Sequence, residues 1–116
     1  MAHYEDLTID QGTDVAIDIY LVNTDNSAKD LTGYTVAAKM ATSYDVADSD
    51  KISFTAAVAA PAEDGIINLS LTNAQTQLLN TKKRYVYDVE ISLTDSDGTT
   101  IERVLQGLIT VTPSVT

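Results

Sequence analysis

A chain of 116 residues has room for one domain with a substantial core, and it carries no cysteine for disulfide staples or thiolate metal sites. Seventeen acidic residues against seven basic ones leave a net charge of −10, which repels nucleic-acid phosphates and anionic membrane surfaces alike. The single histidine, His3, sits near a terminus, so a Ser-His-Asp triad or a His-based metal centre has no foundation.

The N-terminal stretch Met1-Ala2-His3-Tyr4-Glu5-Asp6 has neither a basic nor an apolar region. Synthesis in the cytoplasm without a signal peptide is therefore expected. Leu7 and Ile9 mark a first strand over Tyr4 to Asp10, with a turn at Gln11-Gly12. Val15, Ile17, Ile19 and Leu21 alternate with Asp14, Ala16, Asp18 and Tyr20 in the second strand. Such period-two alternation puts one face in a core and the other outside it. Asn23 to Ser27 is a polar loop whose side chains compete for backbone hydrogen bonds. Tyr34, Val36, Ala38 and Met40 form the third strand, and Ser43 to Lys51 is an acidic loop.

Ile52, Phe54, Ala56 and Val58 alternate as the fourth strand, before a turn at Pro61 to Gly65. Ile67, Leu69 and Leu71 make the fifth. Thr72-Asn73-Ala74-Gln75 fits a capping box and predicts a helix of one or two turns ending near Asn80, with Leu78 and Leu79 plugging one end of the core. Tyr85, Tyr87, Val89, Ile91 and Leu93 form the longest strand, and Asp95-Ser96-Asp97-Gly98 reads as a hairpin turn. Ile101, Leu105, Ile109 and Val111 carry the return strand, interrupted by Arg103 and Gly107. A glycine inside a strand marks a bulge, a bend or a close backbone approach.

Seven such runs, spaced about ten residues apart, predict an all-β fold over 1–116: a seven-stranded, antiparallel immunoglobulin-like β-sandwich with one short helix. The missing Trp and Cys pair exclude an antibody-type domain.

Chemistry-bearing groups are few. No phosphate-binding glycine loop is present. Asp48-Ser49-Asp50 and Asp95-Ser96-Asp97-Gly98 contain oxygen donors of the kind calcium takes, but Asp and Gly are also ordinary turn residues. The turn reading is the one adopted, with no metal and no cofactor expected. Asp88 and Glu90 lie on one strand face about 7 Å apart. Acid–base work on a glycosidic bond would also need a sugar-lined cleft, usually with Trp, so a solvated or interface face is expected there. Arg84 and Arg103 are the basic residues available to offset some of that charge across strands, with the hairpin register left open and no pair assigned. No catalytic residue is assigned.

Tyr34, Tyr85 and Tyr87 fall on inward faces, with hydroxyls reaching the rim. Tyr4, Tyr20 and Tyr44 fall on outward faces or loops, and Val86, Val104 and Leu108 form an apolar stripe on the face expected to be wet. Tyrosine is enriched at interfaces and exposed apolar stripes call for cover, so these six residues are the interface candidates, with a homo-oligomer or symmetric array expected.

Several stretches, taken in order, carry a resemblance. They are Leu7-Thr8-Ile9-Asp10-Gln11-Gly12 and Asp30-Leu31-Thr32-Gly33-Tyr34-Thr35, then Asp64-Gly65 and Leu71-Thr72 leading to Thr76 and Leu78. Tyr85-Val86-Tyr87-Asp88-Val89-Glu90-Ile91, Asp97-Gly98, Gly107-Leu108-Ile109-Thr110-Val111 and Pro113-Ser114-Val115-Thr116 complete the set. Together they resemble the immunoglobulin-like domain of phage upper baseplate proteins, which also occurs as a stand-alone structural protein of tailed phages. The resemblance implies a non-enzymatic structural part of a virion, in a baseplate, tail, neck or capsid-decorating position, with other virion proteins as partners. The alternative is a carbohydrate-binding or adhesion module using Tyr20, Tyr44 and the Asp48-Ser49-Asp50 turn.

Overall fold

The computed structural model describes residues 3–115. Met1, Ala2 and Thr116, which the N-terminal stretch and the last motif include, lie outside the described residues, as does the side chain of Asp48. In chain order the elements are β1 (His3–Tyr4), β2 (Leu7–Asp10), β3 (Val15–Tyr20), β4 (Tyr34–Ala41), β5 (Ile52–Ser53), β6 (Thr55–Val58), β7 (Ile66–Leu71), α1 (Asn73–Gln77), β8 (Tyr85–Asp95) and β9 (Gly98–Thr112). The larger sheet runs β1-β9-β8-β4-β5, with β2 also on β9, and the smaller runs β3-β7-β6. The two form an all-β sandwich of immunoglobulin-like type, with α1 as the one α-helix among the described residues.

The seven runs of alternating sequence become nine segments because two of them break. Ile52 to Val58 changes sheets: β5 pairs with β4 of the larger sheet and β6 with β7 of the smaller. The crossing residue is Phe54, whose ring is buried and whose amide donates to the Ala38 carbonyl at 2.9 Å. The first run breaks at Glu5-Asp6, and both of its halves pair with β9 in parallel, whereas every other named pairing is antiparallel.

The inward rows meet in one core. Ile9, Leu31, Met40, Ile67, Leu69, Tyr87, Val89, Ile91 and Ile109 are each at most 2% exposed. Burying an aliphatic side chain of this size contributes about 1.5–3 kcal/mol, so these rows supply the main force that closes the sandwich. Tyr85 and Tyr87 are inward, as their register requires, while Tyr34 is half-buried. The Tyr85 hydroxyl accepts the Asn80 amide at 2.8 Å and the Tyr87 hydroxyl donates to the Glu5 carbonyl at 2.6 Å.

At the start of α1 the Thr72 hydroxyl accepts the Gln75 amide, and the Gln75 side chain accepts the Thr72 amide. This reciprocal cap satisfies amides that a five-residue helix cannot bond internally. Only one of the two leucines plugs the core: Leu79 is 3% exposed and Leu78 is 84% exposed. The helix ends too soon for both side chains to face inward.

β9 departs most from simple alternation. Val89 faces Leu105, but Glu90 faces Arg103, so Val104 is an extra residue opposite β8. A bulge of this kind shifts the side-chain phase of everything before it. Val104 is thereby turned into the core at 5% exposure, which corrects its expected place on the outer stripe. Ile101, expected inside, is 64% exposed for the same reason.

Gly107 marks the close backbone approach that a strand glycine signals. The Glu5 carbonyl lies directly over its Cα, where no Cβ would fit. Tyr87 reaches up to hold that carbonyl, while the Glu5 amide donates to Gln106 at 2.9 Å. Asp6 then accepts the Leu108 amide at 3.2 Å. The jog between β1 and β2 is thus the consequence of one peptide turned toward Tyr87.

Candidate interaction face

The outer face of the larger sheet follows from its register. Tyr4 lies beside Gln106, Gln106 beside Asp88, Asp88 beside Lys39 and Lys39 beside Ser53, forming one row across the strands. The next row holds Leu108, Val86 and Ala41, and on the other side lie Arg103, Glu90 and Ala37. Beyond them Ile101 faces Ser92, and Ser92 faces Thr35.

The bulge that buries Val104 also brings Arg103 onto this face. Its Nε lies 3.4 Å from Asp88 Oδ2 and its Nη2 lies 3.7 Å from Glu90 Oε2. One guanidinium therefore bridges both carboxylates of β8. The Arg103 side chain is 49% exposed, so the cluster sits in high dielectric and contributes little stability, about 0.2–1 kcal/mol per pair. Its larger effect is to compensate negative charge in the middle of an acidic protein. A groove of about 460 Å³ opens along the cluster, lined by Lys39, Tyr44, Val86, Asp88, Glu90 and Arg103.

Of the six interface candidates, four meet on this face or at its rim. Tyr4 is 62% and Tyr44 69% exposed, and Val86 and Leu108 are half-buried between them. Tyr20 lies elsewhere, at the end of β3 in the smaller sheet, and is 69% exposed. Val104 is a core residue. Alternation already puts Lys39 on this outward face, and Arg103 was read as offsetting the Asp88 and Glu90 charge; what it misplaced besides Val104 is Ile101, expected inside and here exposed.

The acidic turns use their carboxylates on their own backbones and hydroxyls. Asp95 accepts the Asp97 amide at 2.9 Å in the β8–β9 hairpin. Asp25 accepts from Ser27, Asp30 from Thr32 and Asp45 from Ser43. In each case the hydroxyl bond is the main cause that holds the carboxyl below its ordinary range. Among the described residues no group of three or more His, Asp or Glu is placed to hold a metal ion.

The fold and this face define the chain as an immunoglobulin-like β-sandwich with a tyrosine-rimmed outer sheet. Among solved structures it is similar to murine CRIg, with a TM-score of 0.52 and 17% identity over 93% of this chain and 92% of that one. It is also matched with AggA, the major subunit of aggregative adherence fimbriae type I from Escherichia coli, at a TM-score of 0.44 and 11% identity, over 92% and 89% of the two chains. No protein-family model and no curated protein matches the sequence.

Proposed function

We propose that this chain is a non-enzymatic structural protein of a tailed-phage virion that docks through the outer face of its larger sheet. The observation that carries the docking surface is the convergence of Tyr4, Tyr44, Val86 and Leu108 around a charge-compensated Asp88–Arg103–Glu90 cluster. The tyrosines offer large rigid contact area, and the guanidinium lowers the cost of bringing an acidic surface against a neighbour. The virion assignment rests on the ordered motifs that resemble the phage baseplate domain. Particle symmetry presents many copies of one weak contact at once, so a small domain is held by avidity.

Mass spectrometry of purified particles tests the assignment. The chain is expected in fixed ratio to tail or capsid subunits, and its absence from intact particles refutes a virion role. Leu108→Asp is expected to release it from particles while leaving the isolated domain folded.

A second reading is favoured by one observation. Tyr44 lines the same groove as Asp88, Glu90 and Arg103, which combines an aromatic face with carboxylate and guanidinium hydrogen-bonding groups. That combination suits a sugar ring. A glycan array probed with the isolated domain, with and without calcium, separates the two: specific binding abolished by Tyr44→Ala supports the carbohydrate module, and no binding removes it.

A further inference from the structure

We infer, independently of any virion placement, that the chain pairs with a second copy of itself through the free edge of β3, antiparallel and centred on Ile17. β3 is an outer strand of the three-stranded sheet. The ladder phase is set by the Leu21 amide, which donates to the Gly65 carbonyl at 2.8 Å. Alternation along an antiparallel pair then turns the amides and carbonyls of Ala16, Asp18 and Tyr20 away from β7. No turn, loop or cap hydrogen bond among the described residues takes those groups up.

The edge has few of the usual protections, with Asp18 the one charged residue of β3. Val15 to Tyr20 contains no proline, glycine or lysine. Its inward row of Val15, Ile17 and Ile19 is only half-buried. Beside it a cleft of about 390 Å³ opens toward the other sheet, its floor apolar through Ile17, Ile19, Leu21, Val104 and Leu105 and its rim carrying Glu5. An added strand would cover this apolar seam.

The side-chain pattern of β3 is matched by its own copy, and charge restricts the register. When two β3 strands pair about a two-fold axis through Ile17, Ile17 faces its own copy and Val15 faces Ile19. On the outer row Ala16 faces Asp18, and Tyr20 faces Asp14. Every apolar residue of the inner row meets an apolar one, and no carboxylate opposes another. Asp14 is already occupied, because its Oδ1 accepts the Asn73 amide at 2.7 Å. Centring on Asp18 instead would set Asp18 against its copy, and centring on Ala16 would set Asp14 against Asp18. Like charges directly opposite are destabilising, and of the remaining centrings within β3 only Ile17 sets Val15, Ile17 and Ile19 all against apolar residues. In that register Ala16 and Asp18 form the hydrogen-bonded pairs, which matches the groups left pointing outward.

Because the chain has no cysteine, Ile17→Cys introduces its only thiol. Residues of a facing, non-hydrogen-bonded pair lie about 4.5 Å apart between Cα atoms, within disulfide reach. I17C is expected to oxidise to a covalent dimer at a concentration where A16C and D18C remain monomeric. Sedimentation of the unmodified chain should show a monomer–dimer equilibrium. Two chains of net charge −10 repel, so the dimer fraction should rise with salt. Ala16→Asp sets Asp against Asp18 at both symmetric positions and should weaken association about tenfold, while A16D combined with D18K restores it. Both sites are exposed, and a thermal melt confirms that each variant folds. A clean monomer at every salt concentration, equal cross-linking at all three cysteine positions, or no effect of A16D overturns the inference.

Discussion

Replacing Gly107 by alanine should cost the protein a large part of its stability, although alanine is a modest change and the glycine backbone is an ordinary strand. The new Cβ would fall on the Glu5 carbonyl oxygen, 2.7 Å from the carbonyl carbon and 3.1 Å from Tyr87 Cε1. The peptide must therefore lift, and the 2.6 Å bond from the Tyr87 hydroxyl to Glu5 breaks. Overpacking of this kind costs about 1–3 kcal/mol, and a buried hydroxyl left without a partner about 1–3 kcal/mol. A combined loss of about 2–6 kcal/mol is a large fraction of the ~5–15 kcal/mol that holds a domain together. For a chain of this length it lowers Tm by about 10–20 °C. Urea unfolding followed by circular dichroism measures the loss directly, with an unchanged denaturant slope as the sign that two-state behaviour survives. Tyr87→Phe alone should cost about 1–2 kcal/mol, but nothing further on the G107A background, where the bond is already gone. A G107A loss below about 0.5 kcal/mol, or full additivity of the two changes, would show that the β1–β2 jog moves aside freely and that the reasoning is wrong.

The Tyr87 hydroxyl makes alkaline stability informative. Burial first, then the charges of Glu5 and Asp6, push it from the ordinary 10.0 up to about 12. The unfolded chain releases this proton first, so Tyr87 makes stability fall as pH rises through that interval, and Tyr87→Phe should flatten that part of the pH profile. Thr76→Val should cost about 1–3 kcal/mol in urea titrations, because the fully buried hydroxyl donates to the Thr13 carbonyl at 2.7 Å and ties α1 to the turn before β3. Arg103→Gln should cost no more than about 1 kcal/mol in the same assay, and less at high salt, since its ion pairs are half-exposed. A loss above about 2 kcal/mol would mean the cluster is a structural element rather than a surface one.

The outer face was partly legible in the chain. Tyr4, Tyr44, Val86 and Leu108 follow from counting alternate residues along uninterrupted strands or from loop position. Val104 did not, because a single extra residue in β9 reverses which side each earlier residue faces. Arg103 interrupts the apolar row of its strand, but that break alone does not say that one residue of β9 is extra there. The ion-paired cluster has the same origin, since Arg103 reaches Asp88 and Glu90 only in the shifted register.

Local pattern along the chain was enough to mark the strand-forming runs, the capped turn at Thr72, the β8–β9 hairpin and the expectation of two facing sheets. These depend on spacing of two residues along a strand and on side chains that bond their own neighbours, both local quantities. Long-range packing settled that the first run pairs in parallel with the last, that Ile52 to Val58 passes between sheets at Phe54, and that Glu5 bends over Gly107. Each of those joins residues far apart in the chain, where the energy comes from closing the core and leaves no periodic trace in either partner alone.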